Sequence, residues 1–315
     1  MIRIHPASVL RSGIVILAAA SAPFSHASSG VKYEISGADI ISIGQMDVDC
    51  FKDDLASKYI YYGDTLTISF DLILKDYDIE DERPEVTTKS FEFDISPHDP
   101  ANKCEVVVSE WDNGDSRTIE VQFTIGRNDT PIAPQPLRIS VQSINGAEPT
   151  NPILVGDGDA IKVRYGRLRL DNALGSTNQL IARWRTEYWD SKLGSGKGGW
   201  QPNQDDACTF FELTQVLYRT ASNGAGSPID NGNAPIISPE SGTQFNRLTE
   251  PDEWNLDLSK GPGLMGFERI GTDRAWLEIT FDKDVESVFG PIDWARLSFG
   301  LHAGDENRVF TLEVP

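Results

Sequence analysis

The feature that most constrains the fold is an alternation of apolar and polar residues between positions 161 and 189. The segment Ile161–Tyr165 places an apolar residue at every second position, which is the period of a strand with one buried face. Gly166 interrupts the run, and a glycine there indicates a bulge or a sharp bend. A second alternating run follows, with Trp184 on its apolar face and Trp189 on its polar face. The stretch therefore predicts a bent hairpin followed by a glycine-rich loop.

The same alternation recurs through residues 31–144. Apolar residues occupy every second position in 66–74 and again in 119–125. Between them, Asp-Asn-Gly-Asp at 112–115 is a strong signal for a hairpin turn. Short strands separated by turn signals at this spacing predict a β-sandwich of immunoglobulin-like type.

A length of 315 residues suits two domains that each bury a core. Residues 1–27 have the pattern of a secretory signal: basic residues, a short apolar run, and Ser-His-Ala before the cleavage point. That apolar run is too short to span a bilayer, so we expect no transmembrane segment after its removal. The predicted organisation is all-β, with a signal peptide at 1–27, an immunoglobulin-like β-sandwich at 28–148 and a second β-sandwich domain at 149–315.

The charge balance limits the kinds of partner that the chain can bind. The net charge is −20, and loss of the two arginines in residues 1–27 brings it to −22. Such a surface repels nucleic acid and anionic lipid and keeps an exported protein soluble. The sequence therefore predicts no binding to nucleic acid.

The chain contains three cysteines: Cys50, Cys104 and Cys208. In an oxidising compartment two of them should pair. Cys50 and Cys104 fall in the same predicted domain, so we predict a disulfide between them. Cys208 would then remain as a buried thiol in a strand.

Catalytic groups are poorly represented. After signal removal only His98 and His302 remain, and they fall in different predicted domains, which disfavours a nucleophile activated by a histidine base. Glycosidases need two carboxylates at a set separation, and with 48 acidic residues any chosen pair carries little meaning. We predict no catalytic residues and no enzymatic activity, with an exported hydrolase as the least favoured alternative.

Calcium is the only cofactor that the sequence brings into consideration. Asp76, Asp78 and Asp81 belong to an acidic run in a predicted loop, and calcium prefers such clusters of oxygen ligands. The alternative is that these side chains simply form a solvated surface. We therefore assign no metal site and keep calcium as a hypothesis.

Two tryptophans and two arginines form the predicted binding site. Trp189 and Trp200 bracket the glycine-rich tip, and Arg167 and Arg169 lie on the preceding strand. Exposed tryptophans stack on sugar rings and on hydrophobic partners. The alternative is that both indoles pack over the edge of the second domain's core.

The second half of the chain resembles a known family. The segments that carry the resemblance are 165–176, 187–189, 205–209, 276–277 and 295–308. They are similar to the C-terminal domain of the MshQ family, a domain of unknown function in the biogenesis group of the mannose-sensitive haemagglutinin (MSHA) type IV pilus. The resemblance implies a Gram-negative envelope or surface location, a pilus accessory role and no catalytic residues.

Together these observations predict an exported, non-enzymatic protein of the periplasm, the cell surface or the extracellular space. Its expected partners are pilus or envelope proteins, in assembly or adhesion of a type IV pilus. The alternative is a secreted carbohydrate-binding module that recognises surface glycans.

Overall fold

The computed structural model describes residues 31–49, 58–76, 84–99, 101–110, 115–156, 161–220, 226–229, 235–239, 241–248, 262–271 and 274–300. The predicted signal peptide lies outside these residues, as do Cys50, Asp78, Asp81 and His302.

The first half of the described chain is built from strands that form a two-sheet sandwich. In chain order they are β1 (Lys32–Ile43), β2 (Tyr59–Tyr61), β3 (Thr65–Lys75), β4 (Phe91–Ser96), β5 (Lys103–Val108), β6 (Ser116–Thr124), β7 (Gln135–Pro136), β8 (Arg138–Ile144), β9 (Ile153–Val155) and β10 (Lys162–Arg164). One sheet has the order β1-β3-β6-β5 and the other β4-β8-β9. Ring contacts join the two sheets, with centroids 6.4 Å apart for Phe70 and Phe91 and 5.2 Å apart for Phe93 and Phe123.

The alternation in the sequence explains why these strands pair as they do. In β3 every second side chain from Leu66 to Leu74 is buried, and β6 shows the same pattern from Arg117 to Phe123. The antiparallel register sets Leu66 opposite Phe123, so both apolar faces point into one core. The predicted sandwich is confirmed here.

The second half forms another sandwich. Its strands are β11 (Gly166–Leu170), β12 (Ala173–Gly175), β13 (Gln179–Asp190), β14 (Gly199–Pro202), β15 (Val216–Arg219), β16 (Ser227–Pro228), β17 (Ile236–Ile237), β18 (Gln244–Arg247), β19 (Gly263–Ile270), β20 (Ala275–Phe281) and β21 (Ala295–Phe299). One sheet has the order β11-β13-β19-β18-β17, with β14 paired to β13, and the other β12-β21-β20-β15-β16. Trp184 meets Phe281 at 5.8 Å and Phe245 meets Phe299 at 5.4 Å between ring centroids across the core. The all-β prediction is confirmed.

Helical structure in the described part of the chain is short. The helix Lys283–Phe289 starts at Asp282, whose carboxylate accepts from the N–H groups of Asp284 and Val285, and it buries Val285, Val288 and Phe289. Other helical segments are the short turns Thr88–Ser90, Leu193–Gly196 and Leu213–Gln215, and residues 48–49 are also helical.

Gly166 is the point where the chain passes from one sheet to another. β10 pairs in parallel with β2 and antiparallel with β7, whereas β11 pairs with β13. A Cβ atom on Gly166 would lie 2.5 Å from the ring of Tyr61, so no larger residue fits there. The predicted hairpin is confirmed, but β12, which pairs with β21, replaces the simple turn expected between its strands, and the bulge or bend at Gly166 stays a prediction.

Strand pairing crosses the predicted boundary at 148/149. β9 and β10 follow the boundary in sequence, yet β9 hydrogen-bonds to β8 and β10 hydrogen-bonds to β2. The boundary itself stays a prediction.

The cysteine prediction is wrong. Cys104 carries a free, exposed thiol on β5, so it is not bridged to Cys50. Cys208, predicted to be the leftover thiol, is buried and disulfide-bonded. The prediction assumed that cysteines pair within one predicted domain. Cys208 instead lies where the two halves of the chain are in contact. The N–H of Asp47 donates to the carbonyl of Cys208 at 2.8 Å, and Met46 pairs with Thr209.

One buried carboxylate makes the stability of the first sandwich depend on pH. Asp64 is 1% exposed, and its Oδ1 accepts from the N–H groups of Thr65 at 2.9 Å and Gln45 at 3.2 Å. Its Oδ2 has no hydrogen-bond partner among the described residues. Burial raises the pKa of Asp64 to about 7, against the opposing effect of these backbone hydrogen bonds.

We predict that Asp64→Asn removes a pH-dependent loss of stability. Between about pH 4 and pH 7 the folded chain retains a proton on Asp64 that the unfolded chain releases. The free energy of unfolding therefore falls as the pH rises, by up to about 1.4 kcal/mol per pH unit from this group. Asparagine mimics the neutral carboxyl and has no such dependence. Urea unfolding of both proteins from pH 4.5 to 7.5 measures the difference, and a constant difference across that range would contradict the prediction.

Candidate binding surface

Strands β13 and β14 bring the two predicted tryptophans together. Trp189 and Trp200 occupy directly opposite positions, and their rings meet edge to face with centroids 5.7 Å apart. Both indoles are partly buried and pack against the hydrophobic core. The alternative interpretation, packing over the core edge, therefore describes both indoles, and their binding role stays a prediction. Each indole has a buried part that fixes it and an exposed part that remains accessible.

The glycine-rich tip between these strands holds Trp189 in place. Gly198 has a φ of +80° and its N–H donates to the carbonyl of Leu193 at 3.0 Å. A Cβ atom on Gly198 would lie 2.4 Å from the Trp189 ring. The prediction that this segment connects two strands is confirmed, and its glycine gives the indole the space it occupies.

Arg167 extends the aromatic pair. Its guanidinium carbon lies 4.4 Å from the centroid of the Trp200 ring, and its Nε donates to Glu187 Oε2 at 2.7 Å. Tyr165 lies 6.0 Å from Trp200 between ring centroids. We call Tyr165, Arg167, Trp189 and Trp200 the Trp200 cluster.

Arg169 is joined to the Trp200 cluster only indirectly. Glu187, whose side chain is 5% exposed, binds Arg167 and also accepts from Arg185 at 3.1 Å. Arg185 in turn donates to Asp171 at 3.0 Å, and Arg169 lies 3.7 Å from the same carboxylate. The structure thus brings three of the four predicted residues into contact and places Arg169 at the other end of one ion-pair network.

A buried polar network beside this surface was not predicted from the sequence. The hydroxyl of Tyr61 donates to Asp206 Oδ2 at 2.9 Å and accepts from Asn203 Nδ2 at 2.6 Å. The Thr186 hydroxyl also donates to Asp206, and the N–H of Thr209 donates to its other oxygen at 3.0 Å. Burial, followed by the charge of Asp206, raises the pKa of Tyr61 well above its ordinary value. The Tyr-Ile-Tyr-Tyr run at 59–62 was the available signal in the sequence.

Arg164 connects this polar network to two aromatic side chains. Its guanidinium carbon lies 4.1 Å from the Tyr59 ring centroid and 4.5 Å from that of Tyr188. It also donates to Asn203 and forms an ion pair with Asp205 at 3.4 Å. These contacts join β2 of the first half to β13 and the loop after β14 in the second.

The other predicted sites are not assembled among the described residues. Asp76 forms an exposed ion pair with Lys32 at 2.6 Å, and its neighbours Asp78 and Asp81 lie outside the described residues. Within the described part of the chain, no three His, Cys, Asp or Glu side chains are grouped so as to hold a metal ion. His98 is exposed and lies 3.6 Å from Asp94. The calcium hypothesis stays a prediction.

No helix in the described ranges has both the length and the apolar character needed to cross a membrane.

Comparison with known proteins gives one family match. A family model for the fourth domain of DUF6701 matches residues 164–314, which include the whole Trp200 cluster. The second half is therefore similar to a domain of an uncharacterised family. This match supports a resemblance to a domain of unknown function and does not extend to a pilus family. No curated protein matches the chain.

Two solved structures share little with the chain. Domains 5–6 of the S-layer protein SbsC are 10% identical, with 85% of this chain and 98% of that chain covered and a TM-score of 0.17. A marsupial T cell receptor is 10% identical, with 86% and 99% covered and a TM-score of 0.16. These TM-scores are too low for either likeness to bear on fold or function.

We predict that Gly198→Ala disturbs the tryptophan pair and Gly196→Ala does not. Both glycines have similar φ angles, +80° and +85°, but a Cβ at 196 meets nothing within 4 Å whereas one at 198 meets Trp189. Both variants should lose about 1 kcal/mol to backbone strain. Only Gly198→Ala should also weaken the near-ultraviolet circular dichroism of the paired indoles. Equal spectra for the two variants would contradict the proposed role of Gly198.

Proposed function

We propose that this chain is an exported, non-enzymatic protein of the bacterial envelope or surface that acts by contact, as an accessory in assembly or adhesion of a type IV pilus. The observation that carries the proposal is the Trp200 cluster, an aromatic and arginine surface held in a fixed arrangement. The resemblance of this half of the chain to the C-terminal domain of the MshQ family supports the pilus role, whereas the family model that matches residues 164–314 describes an uncharacterised family. The periplasm, the cell surface and the extracellular space all fit this role.

The composition of the Trp200 cluster favours binding. Tryptophan, tyrosine and arginine are the residues that contribute most to protein interfaces. The edge-to-face contact of Trp189 with Trp200 and the position of Arg167 over Trp200 restrict these side chains before any partner arrives. Binding therefore costs less side-chain entropy than it would for free rotamers.

The polar groups beside the cluster favour a structural role over chemistry. The Glu187 carboxylate is engaged by both Arg167 and Arg185, and the Asp206 carboxylate receives the hydroxyls of Tyr61 and Thr186. Both oxygens of each carboxylate accept hydrogen bonds from neighbours that fix the fold. This arrangement supports a protein that binds its partner without catalysing a reaction on it.

A secreted carbohydrate-binding module is the second candidate. The observation that favours it is the presence of hydrogen-bonding groups beside the indoles: Gln201 donates to Asp190 at 3.2 Å, and these residues flank Trp200 and Trp189 in sequence. Protein carbohydrate sites combine an aromatic stacking face with such polar groups.

The test is binding of the purified full chain to pilus preparations, to whole cells and to a glycan array. Trp200→Ala should weaken binding to its partner by roughly tenfold or more, since truncating a central aromatic costs more than about 1.4 kcal/mol. Trp276→Ala is the matched control, because Trp276 is also partly buried and lies under an arginine, Arg296 at 4.6 Å, but on β20 of the other sheet.

The pattern of loss separates the candidates. Loss with pili or cells alone supports the pilus role, and loss on the glycan array alone supports the carbohydrate module. Unchanged binding of Trp200→Ala to all three, with both variants folded by circular dichroism, would contradict a contact role for the cluster.

A further inference from the structure

The outer face of β11 and β13 concentrates arginine in a strongly acidic chain. Arg167 and Arg169 point outward from β11, and Arg183 and Arg185 from β13, because residues two apart share a face of a strand. We call these four residues the arginine row. Between them lie two carboxylates, Glu187 and Asp171, so the patch carries an excess of positive charge. The chain as a whole has a net charge of −20.

The register within the row places like charges face to face. Arg169 and Arg185 are directly opposite across the two strands, an arrangement that destabilises a sheet unless an anion relieves it. Asp171 relieves it in part, with a hydrogen bond to Arg185 at 3.0 Å and a longer ion pair with Arg169 at 3.7 Å. The arrangement thus leaves positive charge that a further anion would stabilise.

Two members of the row have donors to spare. The Arg169 guanidinium donates no hydrogen bond to the described residues; it forms a 3.7 Å ion pair with Asp171, and the side chain is 37% exposed. Arg183 is exposed and forms no ion pair within the described part of the chain. Each guanidinium therefore offers a planar fork that suits carboxylate or sulfate oxygens.

We propose that the arginine row binds an acidic polysaccharide, a polymer that carries carboxylate or sulfate groups, with the Trp200 cluster stacking on one of its sugar rings. This inference rests on the contact role proposed above and names the ligand class of that surface. Outward residues two apart on a strand are about 6.6 Å apart, so Arg183 and Arg185, like Arg167 and Arg169, present charges at a regular interval. A linear polymer with repeated anionic groups can lie along such a face, whereas a small anion would engage only one guanidinium.

The position of the aromatic side chains favours a sugar polymer over an acidic peptide. Arg167 belongs to the row and also lies over Trp200, so the charged surface and the indole surface are continuous. Indole faces stack on the C–H faces of pyranose rings, while the guanidinium groups pair with their acidic substituents. The negative charge of the rest of the chain repels a polyanion at long range, so binding must depend on these short-range contacts and weaken with salt.

The experiment is affinity electrophoresis and calorimetric titration of the full chain with polygalacturonate, heparin, neutral dextran and polyglutamate. We expect binding to polygalacturonate or heparin, none to dextran, and weaker binding to polyglutamate. The double variant Arg169→Gln/Arg183→Gln should bind at least tenfold more weakly, with a shallower dependence of log Kd on log salt. Arg138→Gln, which removes an exposed arginine from β8 of the first sandwich, should bind like the unmodified chain.

Several outcomes would overturn the inference. They are no binding to either acidic polysaccharide, equal binding to dextran, equal binding to polyglutamate, or full affinity in Arg169→Gln/Arg183→Gln when circular dichroism shows all variants folded. If Trp200→Ala still abolishes contact with pili or cells in that case, the proposed contact function stands and only its ligand class is wrong. If polysaccharide binding depends on the arginines but Trp200→Ala leaves pili, cells and glycans bound, the ligand class stands and the role of the Trp200 cluster fails.

Discussion

The structure depends on the buried contact between Tyr61 and Asp206. The phenol comes from β2 in the first half of the chain and the carboxylate from the loop after β14 in the second, 145 positions apart. A buried carboxylate is costly unless its oxygens are hydrogen-bonded, so Tyr61, Thr186 and the N–H of Thr209 must all be in place. Each half of the chain thus supplies groups that the other half needs in order to bury its polar atoms.

This constraint also fixes the binding surface. Arg127 of the first half lies over Tyr165, with its guanidinium carbon 3.9 Å from the ring centroid, and donates to the carbonyls of Gly166 and Val288 at 2.8 and 2.7 Å. Tyr165 contacts Trp200, so the first sandwich supports the aromatic surface of the second from behind. A surface held in this way is preorganised for binding.

Local pattern predicted the strands well and the long-range contacts poorly. The alternation in 66–74 and 180–184 identified buried faces correctly, because a period of two has one physical meaning in a half-buried sheet. Gly166 was correctly identified as a special position, but the close approach of the Tyr61 ring that requires a glycine there was not visible in the sequence. The Tyr61–Asp206 contact and the state of Cys208 could not be predicted, since both depend on which distant segments meet. The tryptophan pair was predicted in part. Its two residues were identified by their position around a glycine-rich tip, but the extent of their burial could be known only from the folded structure.

The most direct test of the account is calorimetric unfolding of the full chain and of Tyr61→Phe. If the two sandwiches complete each other through this contact, the unmodified chain unfolds in one cooperative transition. Loss of the hydroxyl then lowers the free energy of unfolding of the whole molecule by about 1–3 kcal/mol, as expected when buried groups lose a partner. Two separate transitions in the unmodified chain, with neither Tm changed by Tyr61→Phe, would show that the halves fold independently and would contradict the account.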